Sequence, residues 1–495
     1  MDPKNIWITF PELITWLPLI AGLIAFMIRK EKTVKLWAIL ASLLTLGISL
    51  ASLFYTDHAK YVNLNNVSYY WLQSIGSSFA LGLDGMARML TILTSLCFSL
   101  IFIATYKSTY KNLNIFYGLM LLTQCGLMGV FTAMDALVFY FFWELAVIPA
   151  YFLCSRWGGE KRIQATFKFF IYTFAGSLLM LVGILYVYTL TGPTANSDHS
   201  FSLNAFYAAA GAVKGHGWVF WLFFIAFAIK MPVFPFHTWQ PDTYEQAPTA
   251  TTMVLSGIMV KMGVFALIRW VLPVFPDAVI RFDNIVIGLS VVGMIYASLI
   301  AIKQDDLKRF VAYSSIAHIG LMCAAIFTRS EIGLQGVMIQ MFSHGINIIG
   351  MWVVVDIIEK QTGTRKMSEL GGIAHKAPIL TLFLVVIALA NIALPLTNAF
   401  VGEFMMFSSL FTFSIAYAGV ALISIILAAV YTLNMVQKVF YGEANTVTGN
   451  MRDISWNQKL VLAVLLVLIF MYGVYPQPIF DLTKDTVATI LTRIN

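Results

Sequence analysis

Apolar runs of membrane-crossing length follow one another along almost the whole chain. They cover about 6–28, 34–55, 83–105, 112–133, 135–155, 164–190, 218–245, 249–271, 282–302, 309–328, 332–358, 377–410, 415–441 and 458–476. Most are near the roughly 20 residues that the hydrocarbon layer of a bilayer demands. Lipid offers no partner to a backbone amide, so a spanning segment must be a helix or part of a closed barrel, and runs this long select helices. The expectation is an all-α polytopic membrane protein with about fourteen transmembrane helices. Only 11% of the residues are charged, against about 25% in a soluble domain. No extended linker or low-complexity tract divides the chain; Thr56–Gly82, Thr191–Gly217 and Gly442–Asn457 read as loops. Met1–Phe10 lacks the n-region of a cleavable signal peptide.

Basic residues give the expected orientation. Nineteen of the 31 Lys and Arg fall in one set of alternating loops and eight in the other, which also holds both termini. By the positive-inside rule the first set is cytoplasmic and both termini lie outside. The net charge of +7 follows from those loops and is no sign of nucleic acid.

Two of the fourteen runs are interrupted. In the seventh, Lys230 precedes Met-Pro-Val-Phe-Pro (231–235), and the eighth run carries Lys261 near its middle. In the twelfth, Asn391-Ile-Ala-Leu-Pro395 breaks the run and Glu403 follows. Proline frees backbone groups that lipid cannot satisfy, so each break belongs inside protein or beside water. An amine at membrane depth costs at least about 2.5 kcal/mol on insertion scales, which makes each lysine a functional suspect. Each break is the fourth segment of a five-segment block. An odd block length makes the second copy enter from the opposite face, so two inverted repeats are expected, and breaks at matching places point to a transport site. The expected divisions are 1–110, 111–275 and 276–445 (the two repeats), and 446–495, the last helix with a tail. Direct similarity between the repeats is weak, as in Ile163-Gln-Ala-Thr-Phe against Leu334-Gln-Gly-Val-Met.

Six titratable side chains stand out as intramembrane candidates: Glu144, Lys230, Lys261, His318, His344 and Glu403, one on each of six segments. Burial disfavours the charged form and an opposed partner restores it, so a Glu–Lys pair of variable separation is a proton-affinity switch. Histidine suits the steps between. Each has a plainer reading: a membrane histidine also serves as an interhelical hydrogen bond, and Glu144 with Lys230 could be static glue. Asp84 and Arg88, at i,i+4 spacing, read as an interfacial ion pair. His58, His199, His216 and His375 read as solvated, and Asp305, Asp306, Lys308 and Arg309 as an ordinary loop. For His237 and Asp242 a hinge role and a proton-uptake role stay open. Cys97, Cys125, Cys154 and Cys323 have no metal or disulfide spacing and read as buried small hydrophobes.

Lys230-Met-Pro, Pro-Phe-His-Thr-Trp-Gln-Pro-Asp (235–242), Ala-Pro-Thr-Ala (247–250) and Lys261-Met-Gly together resemble the signature of the antiporter-like subunits of complex I, the proton-pumping NADH:quinone oxidoreductase. Phe142-Trp-Glu144, Arg156-Trp-Gly-Gly, Lys168-Phe-Phe-Ile-Tyr-Thr-Phe-Ala-Gly-Ser177, Tyr313-Ser-Ser-Ile-Ala-His318 and Gly402-Glu-Phe extend the likeness over essentially the whole chain. It is most similar to the M-type branch (the chain-4 type of mitochondria). Glu403 stands where the resemblance leads one to expect lysine in L- and N-type subunits, and the chain stops soon after the fourteenth segment, without the L-type lateral helix. Gln240 departs from the family's usual apolar residue.

The resemblance implies a proton path. Glu144 would modulate Lys230, the input or storage site; Lys261 would be the central relay; His318 and His344 would carry the proton across the midplane to Glu403, the terminal group. It implies no metal and no cofactor on this chain, with FMN, iron–sulfur clusters and quinone in partner subunits. The neighbours would include L-type and N-type subunits, and the location would be the bacterial cytoplasmic (inner) membrane, termini periplasmic. Alternatives are a D-type subunit of a multisubunit Na+/H+ antiporter, or a membrane subunit of an energy-converting hydrogenase or ferredoxin-driven photosynthetic complex. A solute transporter fits less well, because the polar groups suit protons. A passive spacer would leave six intramembrane titratable groups unexplained.

Overall fold

A computed structural model describes residues 8–55, 62–195 and 197–494. His58, and Lys4 and Lys60 among the eight basic residues of the second loop set, lie outside the described residues. The helices, in chain order, are α1 (Phe10–Met27), α2 (Glu31–Ala51), α3 (Gly85–Ala104), α4 (Leu113–Thr132), α5 (Ala136–Trp157) and α6 (Arg162–Tyr188). Then come α7 (Gly217–Lys230), α8 (Trp239–Gln246), α9 (Thr249–Val271), α10 (Pro276–Lys303), α11 (Leu307–Phe327) and α12 (Glu331–Thr362). The last are α13 (Pro378–Asn391), α14 (Asn398–Phe413), α15 (Ile415–Phe440), α16 (Trp456–Val474) and α17 (Gln477–Ile494).

Among the described residues, twelve helices are long and apolar enough to cross a membrane. The two interrupted runs appear as α7 with α8 and α13 with α14. Their apolar first halves are only 14 residues each, roughly 21 Å of helix and short of a bilayer. Both breaks fall where proline placed them.

Helices α9, α11 and α12 have their most apolar stretches wholly buried. They form the axis of the bundle. Helices α1, α2, α15 and α16 turn most of their surface outward, and there rows of Leu, Ile and Phe face lipid instead of water. A helix apolar all round is what a membrane interior requires, so polarity marks the inside and hydrophobicity the outside.

The expected all-α fold has one exception. Within the loop before α3, β1 (Asn66–Leu72) pairs antiparallel with β2 (Ser77–Gly82), register Val67↔Leu81 and Tyr69↔Phe79. Asn-Val-Ser-Tyr-Tyr-Trp-Leu is rich in β-branched and aromatic residues, and Gly76 at φ 68° closes the turn. β2 is fastened to the start of α5: Asp135 accepts from Ser77 Oγ at 3.0 Å and Ser78 N at 3.1 Å while capping α5. The second correction concerns the expected tail, which is helix α17. Its buried Ile479, Thr483, Thr486, Val487 and Ile490 fall at helical spacing, so it lies as an amphipathic helix against α3 and α12. The carboxylate of Asp84 also reaches Arg269 of α9 at 2.6 Å, a contact between helices that the i,i+4 reading did not include.

Candidate functional site

Lys261 is fully buried on a helix whose regular winding fails twice. α9 is π-helical at Leu255–Met259 and at Leu267–Val271, on either side of the α-helical turn that bears the lysine. A π turn disturbs the i→i−4 ladder and is frequent at functional sites. The Ser256 carbonyl in the first π turn accepts from Lys261 Nζ at 3.1 Å. The same amine meets His344 Nδ1 of α12 at 2.7 Å. An ammonium carries donors only, so a charged Lys261 requires Nδ1 to be the acceptor. His344 Nε2 then faces Ser315 Oγ of α11 at 3.1 Å, leaving the ring engaged at both nitrogens.

A second contact lies beside the first. His318 Nδ1 of α11 is 2.8 Å from Glu403 Oε1 of α14. Gln340 Nε2 of α12 donates to the same oxygen at 3.2 Å. The two imidazoles face each other with ring centroids 5.9 Å apart and planes at 62°. The residues thus follow one another in space as Lys261, His344, His318, Glu403, all buried. The structure brings these four of the six sequence-selected groups together.

Glu144 and Lys230 form a separate site. Lys230 is buried at the end of α7, its Nζ 5.8 Å from the Trp143 ring and 5.6 Å from the Phe169 ring. Lys230 Nζ and Glu144 Oε1 have no hydrogen-bond partner, and no N···O contact within 4.0 Å joins the two residues. The aromatic faces offer cation–π attraction in place of an ion pair.

The backbone groups freed by the breaks are satisfied by side chains. The indole of Trp239, on α8, donates to the Ile229 carbonyl at 2.9 Å. At the second break Asn347 Nδ2 donates to the Ala390 carbonyl at 3.3 Å and Ser343 Oγ to the Asn398 carbonyl at 3.1 Å. Asn391 itself donates to Ser314 Oγ at 3.1 Å. Non-helical backbone at membrane depth is tolerated only with such partners.

Two glycines set the spacing. A Cβ on Gly263 would lie 2.7 Å from the Phe227 carbonyl oxygen, so only glycine lets α9 approach the lysine-bearing end of α7. A Cβ on Gly402 would lie 2.7 Å from Gln340 Oε1 and 2.9 Å from Gln340 Cβ, which brings Glu403 within reach of α11 and α12.

Asp305, Asp306, Lys308 and Arg309 are not an ordinary solvated loop. Asp242 of α8 binds Lys168 at 2.7 Å and Arg309 at 2.9 Å, and Arg309 also binds Glu245 at 2.9 Å. Arg365 bonds Glu245, Glu359 and Asp306, and Lys308 bonds Glu359 at 2.8 Å. Asp305 accepts from Ser368 N at 2.8 Å and Oγ at 2.6 Å. The network ties the half-helix after the first break to α6, α11 and the end of α12. Asp242 is therefore an ion-pair partner, while His237 is buried with Nδ1 unpartnered. Sequence reasoning missed Ser256, Ser315 and Gln340 as site residues; Ser256-Gly257 before Lys261 was the available signal. The four cysteines are buried and free.

A family model described as NADH:quinone oxidoreductase/Mrp antiporter, TM, matches residues 133–434. NADH-quinone oxidoreductase subunit M of Rickettsia prowazekii is 36% identical over 486 residues, 97% of this chain and 98% of the relative. F(420)H(2) dehydrogenase subunit M of Methanosarcina mazei is 33% identical over 488 residues, 97% and 98% of the two chains. A chain of respiratory complex I from Thermus thermophilus superposes with a TM-score of 0.88 at 26% identity, covering 98% of this chain and 99% of that one. The chain belongs to the NADH:quinone oxidoreductase/Mrp antiporter family of transmembrane subunits, in company with its M subunits.

Proposed function

We infer that this chain is the M-type proton-translocating membrane subunit of an NADH:quinone oxidoreductase. The observation that carries the reading is the buried succession Lys261–His344–His318–Glu403, with contacts of 2.7 and 2.8 Å at its two ends. Protons pass between groups in hydrogen-bond reach, directly or through one water. Lys261 to His344 and His318 to Glu403 meet that condition directly; the step between the imidazoles runs through a bridging water. Lys230 supplies the preceding store, reached through water from Lys261. Its charge is favoured when Glu144 approaches and disfavoured when the pair is apart.

The matching breaks support two inverted five-helix repeats, 111–275 and 276–445. The loop charge count supports termini on the periplasmic side of a bacterial cytoplasmic membrane. Other complex I subunits are the partners, L-type and N-type antiporter-like chains among them. FMN, iron–sulfur clusters and quinone belong to those partners, so redox catalysis is a property of the assembly. The 33% identity to an F(420)H(2) dehydrogenase subunit favours a second reading of one detail: the electron donor is set elsewhere in the complex. An Na+/H+ antiporter is the competing assembly. Co-purification of flavin and iron–sulfur absorbance with this chain supports the respiratory complex; a stable complex free of redox centres rejects it. In proteoliposomes, donor oxidation by the intact complex is expected to acidify the lumen, with Lys261→Ala lowering protons moved per electron.

A further inference from the structure

A large cavity opens on the face that carries α17, apart from the proton-bearing residues. It holds about 750 Å3, inside the range of roughly 300–1,000 Å3 typical of small-molecule sites. Its walls come from α2, α3, α9, α12, α16 and α17. The deeper lining is apolar, with Met89, Ile92 and Phe342. Ile92 is seven residues into α3 and Phe342 eleven into α12, roughly 10 and 16 Å along the helix axes. The mouth is charged in both signs: Arg88, Arg269, Lys484 and Arg493 against Asp84, Asp481 and Asp485.

Three features point to an occupant. Arg269 is 6% exposed and its Nε has no hydrogen-bond partner, although its Nη2 reaches Asp84. A buried guanidinium N–H without an acceptor is unfavourable unless a ligand supplies one. Arg493 covers the Tyr207 ring, its guanidinium carbon 4.6 Å from the centroid, and among the described residues neither Arg493 nor Asp485 forms an ion pair. Charges of both signs above an apolar shaft match an amphiphile whose head also carries both. A purely anionic head would meet three carboxylates at the same mouth.

We propose that this cavity binds one zwitterionic, phosphoethanolamine-headed lipid. The phosphate sits against Arg269 and Arg493, the ammonium against Asp485 and Asp481, and an acyl chain enters between α3 and α12. Guanidinium groups bind phosphate oxygens by strong charge-assisted hydrogen bonds.

The test uses the intact purified complex and a photoactivatable phosphatidylethanolamine carrying its reactive group on the acyl chain. Crosslinks are expected in peptides from α3 and α17. Arg269→Gln, and separately Thr489→Trp, should each lower labelling about tenfold, the scale of one charge-assisted contact. Thr489 is exposed at the mouth, so tryptophan there fills the shaft without entering the core and decides the matter if Arg269→Gln fails to assemble. Unlabelled phosphatidylethanolamine should compete, and phosphatidylglycerol should not. Unchanged labelling in Thr489→Trp, or equal competition by phosphatidylglycerol, would overturn the proposal. Equal competition by soluble phosphoethanolamine would overturn its lipid source.

Discussion

Lys261 Nζ and His344 Nδ1 stand 2.7 Å apart between α9 and α12, with the Ser256 carbonyl as the second partner of the amine. Among the described residues no carboxylate forms an ion pair or hydrogen bond with either residue. Two basic groups in direct contact cannot both hold a proton at low cost, since like charges at this range repel strongly in a poorly polarisable interior. On the proposed proton path the pair would share one proton, and a second arriving from the Lys230 side would drive the first on toward His318.

Shared occupancy makes the two residues act as one unit. Lys261→Ala and His344→Ala are each expected to remove most proton pumping, and the double variant to be no worse than either single one. The measurement is protons translocated per electron in proteoliposomes. Additive losses would show two independent sites.

Glu144 and Lys230 are separated in the structure, the lysine resting between aromatic rings. Glu144→Gln and Lys230→Ala should each reduce pumping strongly while the complex still assembles, because no ion pair joins the two residues for either change to break. Native gels report assembly and lumen acidification reports pumping. Normal pumping in both variants would leave the pair without a role in transport.

At the other end, Glu403 accepts from Gln340 and contacts His318. Glu403→Gln keeps the shape and removes the proton-accepting charge; Glu403→Lys places a cation beside His318. Pumping should fall in both, more in the lysine variant, by about tenfold or greater as expected for loss of a positioned acid–base group. An unaffected Glu403→Lys complex would make the position passive.

Helix positions were legible in the sequence because lipid imposes one length and one pattern. Proline likewise announced both breaks, at 231–235 and 391–395. The six titratable groups stood out because charge is costly where they lie. Their pairing was not legible. Lys261 finds His344 only because α9 and α12 pack side by side, and a helix apolar on every face does not announce its neighbour. The hairpin was hidden by a mixed, exposed pattern, Asn66–Leu72 facing mostly outward. The Arg365 network was missed for a different reason: its members come from five separate stretches, and each alone resembles an ordinary loop charge.

Arg365 bridges Asp306, Glu245 and Glu359 with only 24% of its side chain exposed. Removing it leaves three carboxylates close together. Arg365→Gln should lower the stability of the assembled complex by about 3 kcal/mol, the range for breaking a largely buried ion pair, and loosen α8 after the first break. Thermal unfolding and limited proteolysis near 239–246 test this. Because the carboxylates would then repel, added salt should recover part of the loss; salt-independent loss would instead mark Arg365 as a packing residue.

Gly402 offers a test of how closely the terminal acid must be held. A methyl there would lie 2.7 Å from Gln340 Oε1, 2.9 Å from Gln340 Cβ and 3.1 Å from the Gly402-facing backbone nitrogen of Gln340. The amide end can swing aside, but the Cβ and backbone cannot, so α14 must draw back from α12. Overpacking of this kind costs about 1–3 kcal/mol. Glu403 moves with α14, which stretches its 2.8 Å contact with His318. Gly402→Ala is therefore expected to impair pumping more than assembly. Gly419→Ala on α15, where a Cβ meets nothing within 4 Å, supplies the control and should be silent. Equal behaviour of the two alanine variants in the pumping assay would mean that proton transfer tolerates a looser Glu403 than the geometry implies.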